Sequence, residues 1–270
     1  MLQVSDLFIY PIKSLGGISV SKALVTDRGF QYDRRWMLVD QQNAFLTQRK
    51  LPQMALLQTE ISAESFNVYH KKSGERIAIP FEPTGKTVSV QVWSDRCKGI
   101  VVDDKVNEWF SEMIGETCQL VYMPGTTKRR VDGRYALQND ITSFSDGYPF
   151  MVIGQASLND LNARIEDKLP VNRFRPNIVF AHGAPYEEDT WEQCVINGIK
   201  FYGVKLCARC VITTINQDNL NKGKEPLTTL ATYRMKNNKI YFGQNLLHHG
   251  EGFIHVGDQV EVIETKPSRF

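Results

Sequence analysis

The pattern of apolar runs and breaks reads mainly as strands over the first ~125 residues. Val88, Val90 and Val92 are separated by Ser89 and Gln91, the period-two pattern of a half-buried strand. Pro11, Gly16-Gly17, Gly29, Pro52, Gly74, Pro80, Pro83 and Gly85 interrupt the apolar runs and predict a series of short strands up to about residue 125. One helical period stands among them. Val106, Trp109, Phe110, Met113 and Ile114 recur at helical spacing behind the acidic pair Asp103-Asp104, and Gly115 supplies the stop.

Between residues 124 and 147 the chain reads PGTTKRRVDGRYALQNDITSFSDG, polar and turn-rich, which predicts a passage between two domains, 1–124 and 125–266. The run Lys128-Arg129-Arg130 inside it reads as a solvated loop. PFMVIG follows as a short apolar strand, and Ser157 with Asp160 three residues on predicts a capping-box-like helix start. Leu158, Leu161 and Ile165 form the apolar face of that helix, with Pro170 beyond its end. RFRPNIVF enters another strand, and the stretch from Thr190 to Val204 continues in β-like pieces separated by Gly198 and Gly203. Pro226 is expected in the first turn of a short helix carrying Leu227, Leu230 and Ala231. FIHVGDQVEVIE reads as a hairpin around Gly257-Asp258. Many short strands with few helices predict a mainly β, α+β protein built on β-barrels rather than a parallel α/β sheet.

Composition narrows the function classes. The 270 residues are 42% hydrophobic and 23% charged, with 32 basic against 30 acidic side chains for a net charge of +2. No apolar stretch reaches the roughly 18–20 residues of a membrane-spanning helix, and the near-balance of charge argues against a nucleic-acid partner. The start, MLQVSDLFIYPIK, has neither a secretory nor a transit pattern, which predicts a cytoplasmic protein. Five cysteines form an odd, sparse set unlike a disulfide framework.

Only Cys207 and Cys210 are close, in the block CARCVITTI. A zinc half-site lacks a second Cys-x-x-Cys, and His248-His249 are too close together for the usual spacing. A thioredoxin-like pair needs a helix N-terminus, whereas the β-branched VITTI predicts a strand. The third reading is a single thiolate ligand for a soft, redox-active metal, with Arg209 favouring the ionised sulfur. A chemically idle, packed cysteine stands beside it as the bland alternative.

Six separated blocks decide among these: YPIKS at 10–14, DRRWMLVD at 33–40, FSDGYPFMVIGQASLNDLNARI at 144–165, RFRPNIV at 173–179, CARCVITTIN at 207–216 and KEPLTTLATYR at 224–234. In this order and spacing the chain resembles the MOSC family, in its two-part form with an N-terminal MOSC-associated β-barrel domain. The resemblance is to the amidoxime-reducing branch and its bacterial counterparts. It implies molybdenum cofactor, Mo-molybdopterin, and no pyridoxal phosphate. The second cysteine of the block, here Cys210, is then the metal ligand, and Cys207 has a structural role.

The resemblance also implies cofactor contacts at Lys13, Ser14, Arg34, Arg175, Asn177 and Arg209, and backbone contacts at Gly147, Tyr148 and Ala208. For each cation alone the simpler reading is a surface ion pair. Arg35, beside Arg34, takes the role if the register slips by one. Asp146 falls where the family places a carboxylate near the metal, to orient water or deliver a proton; by itself it reads as a turn residue before Gly147. Ala208 replaces a serine found in mammalian relatives. No Cys-x₄-Cys-x₂-Cys iron–sulfur spacing is present, so a separate electron donor of ferredoxin, flavin reductase or cytochrome type is expected. The implied activity is detoxifying reduction of small N-hydroxylated compounds by a monomer. The rival is a cofactor carrier or sulfur-transfer module using the same thiol.

Overall fold

The computed structural model describes residues 1–62, 66–268 and 270. The fold is mainly β with three α-helices among the described residues, Asp104–Ile114, Gln155–Ala163 and Leu227–Ala231. The largest sheet has nine strands. Its path runs Ile18–Val20, Gln3–Ile9, Ile178–Ala181, Phe150–Gly154, Lys239–His249, Ile199–Ala208, Trp191–Ile196 and Val260–Thr265, with Met235–Lys236 pairing on Lys239–His249. Among the described residues, only Phe150–Gly154 and Ile178–Ala181 pair in parallel within it. The N-terminal strand Gln3–Ile9 lies antiparallel to Ile178–Ala181, so the first residues of the chain are built into the sheet of its second half.

A four-stranded sheet, Trp36–Val39, Gln119–Tyr122, Asp95–Val101 and Thr87–Val92, forms the N-terminal part. The alternation at 88–92 has its expected result: Val90 and Val92 are buried while Ser89 faces solvent. The helix Asp104–Ile114 is capped as its sequence predicts, with Asp103 accepting from the Val106 N–H at 2.8 Å and Gly115 in the left-handed region. Its Val106, Phe110 and Ile114 pack with Trp36, Leu38 and Leu120 in one core. A second core joins Val4, Leu7, Phe150, Ile178, Phe201 and Leu246 across the large sheet.

Local sequence cues misplace several details. The two strands of FIHVGDQVEVIE do not pair with each other: Gly252–His255 pairs with Lys22–Thr26, and Val260–Thr265 with Trp191–Ile196. Ser157 does not cap its helix, which starts at Gln155 behind Gly154; it is fully buried and donates to Glu188. Pro226 precedes Leu227–Ala231 as its capping residue instead of sitting inside the first turn. Gly203 does not break a strand. A Cβ there would meet the Trp191 carbonyl at 2.2 Å, so glycine permits close strand approach next to a bulge. In the basic run, Lys128 and Arg130 reach Asp27 and Asn139 at the surface, but Arg129 is buried, bonded to the Ser143 and Ser145 carbonyls and to Asp95.

Candidate functional site

Backbone hydrogen bonds tie two of the sequence blocks together. Arg34 N–H donates to the Tyr10 carbonyl at 2.8 Å, Trp36 N–H to Pro11 at 3.0 Å and Lys13 N–H to Trp36 at 2.9 Å. The third block joins through Phe8 N–H to the Asn177 carbonyl at 2.9 Å and Asn177 N–H to Met151 at 2.8 Å. Ser14, Arg34 and Arg175 have φ of 68°, 48° and 57°. Three non-glycine residues in the left-handed region of one site mark stored backbone strain, a feature that clusters at functional positions.

These segments enclose a cleft of about 270 Å³. Lys13, Arg34, Arg49, Arg173, Arg175, Lys205 and Arg209 line it, with Asp146 as the only lining carboxylate among the described residues. Lys13 is paired with Asp146 and Arg34 with the buried Asp33. Among the described residues the other five cations make no ion pair; Arg173 and Arg209 instead donate to backbone carbonyls, at Thr213 and at Phe242 and Phe174. The guanidiniums of Arg34 and Arg175 both lie over the Tyr10 ring, each 4.3 Å from its centroid. Burial, and then the like charge of Arg34, push Arg175 down to about 10. Its Nη1 donates to the Leu15 carbonyl at 2.7 Å, but its buried Nη2 has no partner among the described residues. Such a surplus of positive charge in a cleft suits an anion.

Asp146 accepts from Lys13 Nζ at 2.6 Å and from the Trp93 indole N–H at 3.1 Å. Desolvation opposes its ionisation, but Lys13, Trp93 and Arg49 together hold the carboxyl well below the usual range. Lys13 moves the other way: burial lowers it to about 8 against the pull of Asp146. Ionised Asp146 is therefore a hydrogen-bond acceptor at neutral pH, and the proton of this pair resides on Lys13.

Cys210 follows the strand Ile199–Ala208 and caps one 3₁₀ turn, Val211–Thr214. The strand expected for VITTI is thus a helical turn, pinned by Thr213 and Thr214 hydroxyls that donate to the Cys210 and Val211 carbonyls. The cation beside the sulfur is also a different one. Arg209 is held by carbonyls and by Met151 Sδ, whereas Arg49 Nη1 lies 3.9 Å from Cys210 Sγ. Cys207 is pushed up by burial, only partly offset by Arg209, which favours its neutral thiol.

Residues 1–117 match the MOSC N-terminal beta barrel domain and residues 139–261 the MOSC domain. Mitochondrial amidoxime-reducing component 1 of Mus musculus is 30% identical over 280 residues, covering 96% of this chain and 82% of that one. The chain belongs to the MOSC family. Mitochondrial amidoxime reducing component 2 of Rattus norvegicus is 32% identical, covering 95% and 82%. Molybdenum cofactor sulfurase of Oryza sativa subsp. japonica is 33% identical over 90% of this chain, which spans 32% of that longer protein.

The unshifted register of the MOSC resemblance brings Lys13, Ser14, Arg34, Asp146, Gly147, Tyr148, Arg175, Asn177, Ala208, Arg209 and Cys210 to one cleft. Arg35 does not; its guanidinium turns away to the Met123 carbonyl and the Tyr122 hydroxyl. Sequence reasoning missed Arg49, Arg173, Lys205 and Trp93. Arg173 stood inside a quoted block and was legible there. Arg49 follows Thr47-Gln48 in a loop with no motif, and only the fold brings it to Cys210.

Proposed function

We propose that the protein is a molybdenum-cofactor-dependent reductase of N-hydroxylated compounds, among them hydroxylamines, amidoximes and N-hydroxylated bases. The observation that carries this reading is the position of Cys210 at a strained, cationic cleft in a chain whose relatives over most of its length include amidoxime-reducing components. The cofactor fits the donor set. A thiol supports soft-metal ligation, and the unpartnered Arg175 Nη2 with unpaired cations suits a phosphate tail. When bound, the cofactor supplies two-electron redox chemistry at its metal.

The protein's own groups do the rest. Cys210 holds the metal through its sulfur. Arg34, Arg175 and Arg209 bind the anionic tail, Asn177 and Ser14 orient it, and Gly147, Tyr148 and Ala208 approach through backbone atoms. Reductive cleavage of an N–O bond consumes two electrons and two protons, so a proton source is needed at the reacting end. Lys13 Nζ carries a proton near neutral pH and ionised Asp146 fixes its position, which gives Asp146 an orienting role instead of a donating one. Reducing equivalents come from a separate donor protein, and we place the reaction in the cytoplasm. No helix among the described residues is long and apolar enough to cross a membrane.

The test is amine or amidine formation from an aryl amidoxime by chemically reduced, molybdenum-loaded protein. Turnover is expected. Its absence in a fully loaded sample would instead favour a carrier or sulfur-transfer role, a second reading that the similarity to the rice sulfurase supports.

A further inference from the structure

Trp93 sits where its backbone is least suited to it. The strands Thr87–Val92 and Asp95–Val101 pair Val92 directly with Asp95, leaving Trp93-Ser94 as a two-residue hairpin turn. Trp93 has φ of 57°. That turn position favours Asn, Asp or Gly, because a bulky side chain crowds the carbonyl in the left-handed region. Turn propensity therefore does not account for the residue, and burial does not either, since Trp93 is 42% exposed.

Its side-chain contacts do account for it. The indole N–H donates to Asp146 Oδ1 at 3.1 Å. The face of the same ring lies 4.3 Å from the Arg49 guanidinium carbon, and Arg49 Nη1 in turn lies 3.9 Å from Cys210 Sγ. Phe45 braces the ring, with centroids 5.1 Å apart. Edge and face of one side chain thus reach the carboxylate and, through Arg49, the sulfur. Trp93 does not itself line the cleft.

We propose that Trp93 is a positioning residue that fixes Asp146 and Arg49 relative to Cys210, and that the strained turn is retained for this purpose. Its contribution to turnover rests on the reductase reading above; its control of Arg49 does not. Placing Arg49 on the indole face restricts a long, rotamer-rich side chain to one position over the sulfur. Donating the indole N–H to Asp146 leaves the carboxylate aligned toward Lys13.

The test uses Trp93→Gly and Trp93→Asn, which suit the turn, and Trp93→Phe, which keeps a ring for Arg49 but has no N–H. In the full-length chain without cofactor, Cys210 is alkylated by anionic iodoacetate and neutral iodoacetamide, with modification at Cys210 read by peptide mass spectrometry. A fixed guanidinium favours the anion. The ratio of the two rates is expected to fall at least about twofold in the Gly and Asn variants, and to be largely kept in Trp93→Phe. Melting temperatures of the Gly and Asn variants should be unchanged or higher. In loaded enzyme the same two variants should lose kcat by about tenfold or more at unchanged molybdenum content. An unchanged alkylation ratio, or an unchanged kcat in an active parent enzyme, would overturn the proposal. If the parent reduces no N-hydroxylated compound, the reductase reading fails alone and the alkylation ratio still decides the role of Trp93.

Discussion

A closed cluster of buried charge and the cationic cleft are finished differently among the described residues. Behind the helix Gln155–Ala163, fully buried Glu188 accepts from the Ser157 hydroxyl at 2.8 Å and the Gly154 N–H at 3.2 Å. Next to it Asp189 is paired with buried Arg234, and Ser157 accepts from the Tyr186 N–H at 2.7 Å. In the cleft, by contrast, five cations lack a carboxylate and Arg175 Nη2 lacks any partner among the described residues. Where charge serves only the fold, the chain supplies nearly all its own partners, Asp189 Oδ1 being left over. Where charge stays uncompensated, the missing counter-charge is expected from a ligand.

The comparison breaks most severely at Cys210. Cys210→Ala is expected to abolish reduction of an aryl amidoxime, whereas Cys207→Ala keeps part of it; assays on loaded protein decide this. Arg234→Met strands Asp189 in the closed cluster and should cost about 3–5 kcal/mol of stability, read by denaturant unfolding, with cofactor content per folded protein unchanged. Arg175→Ala should do the reverse. Loss of a charge-assisted bond to an anion corresponds to about 1.5–3 kcal/mol, hence roughly 10–100-fold weaker cofactor retention, with little change in melting temperature because a crowded like charge is removed.

A smaller effect separates the clusters by pH. Burial, and then the neighbouring Asp189 carboxylate, push Glu188 up to about 7. The native state then holds this proton more tightly than the unfolded chain, so the Glu188 contribution falls as pH rises from about 4.5 to 7. Glu188→Gln should match the parent near pH 4.5 and exceed it at pH 8 by about 1–3 kcal/mol in chemical unfolding. Lys13 runs in the opposite sense. Its lowered value of about 8 means that stability from this group rises as pH passes from 8 toward its ordinary value.

What the sequence disclosed follows the range of the forces involved. The strand at 88–92 and the helix Asp104–Ile114 were legible because a local period and local caps determine them. FIHVGDQVEVIE misled because the partners of its two strands, near residues 22–26 and 191–196, are remote in sequence. VITTI misled because hydroxyl-to-carbonyl bonds close a turn that β-branched propensity does not foresee. The cleft was legible as a set of residues through the family blocks. Its electrostatics were not: that Arg49 rather than Arg209 faces Cys210, and that Lys13 is paired with Asp146, depends on side-chain directions no motif encodes.

The most direct test of the central claim is molybdenum X-ray absorption on loaded parent protein, Cys210→Ser and Cys207→Ser. Loss of one sulfur neighbour of the metal in Cys210→Ser, with the parent count retained in Cys207→Ser, is the predicted result. An unchanged sulfur count in Cys210→Ser, or the loss appearing in Cys207→Ser, would contradict it.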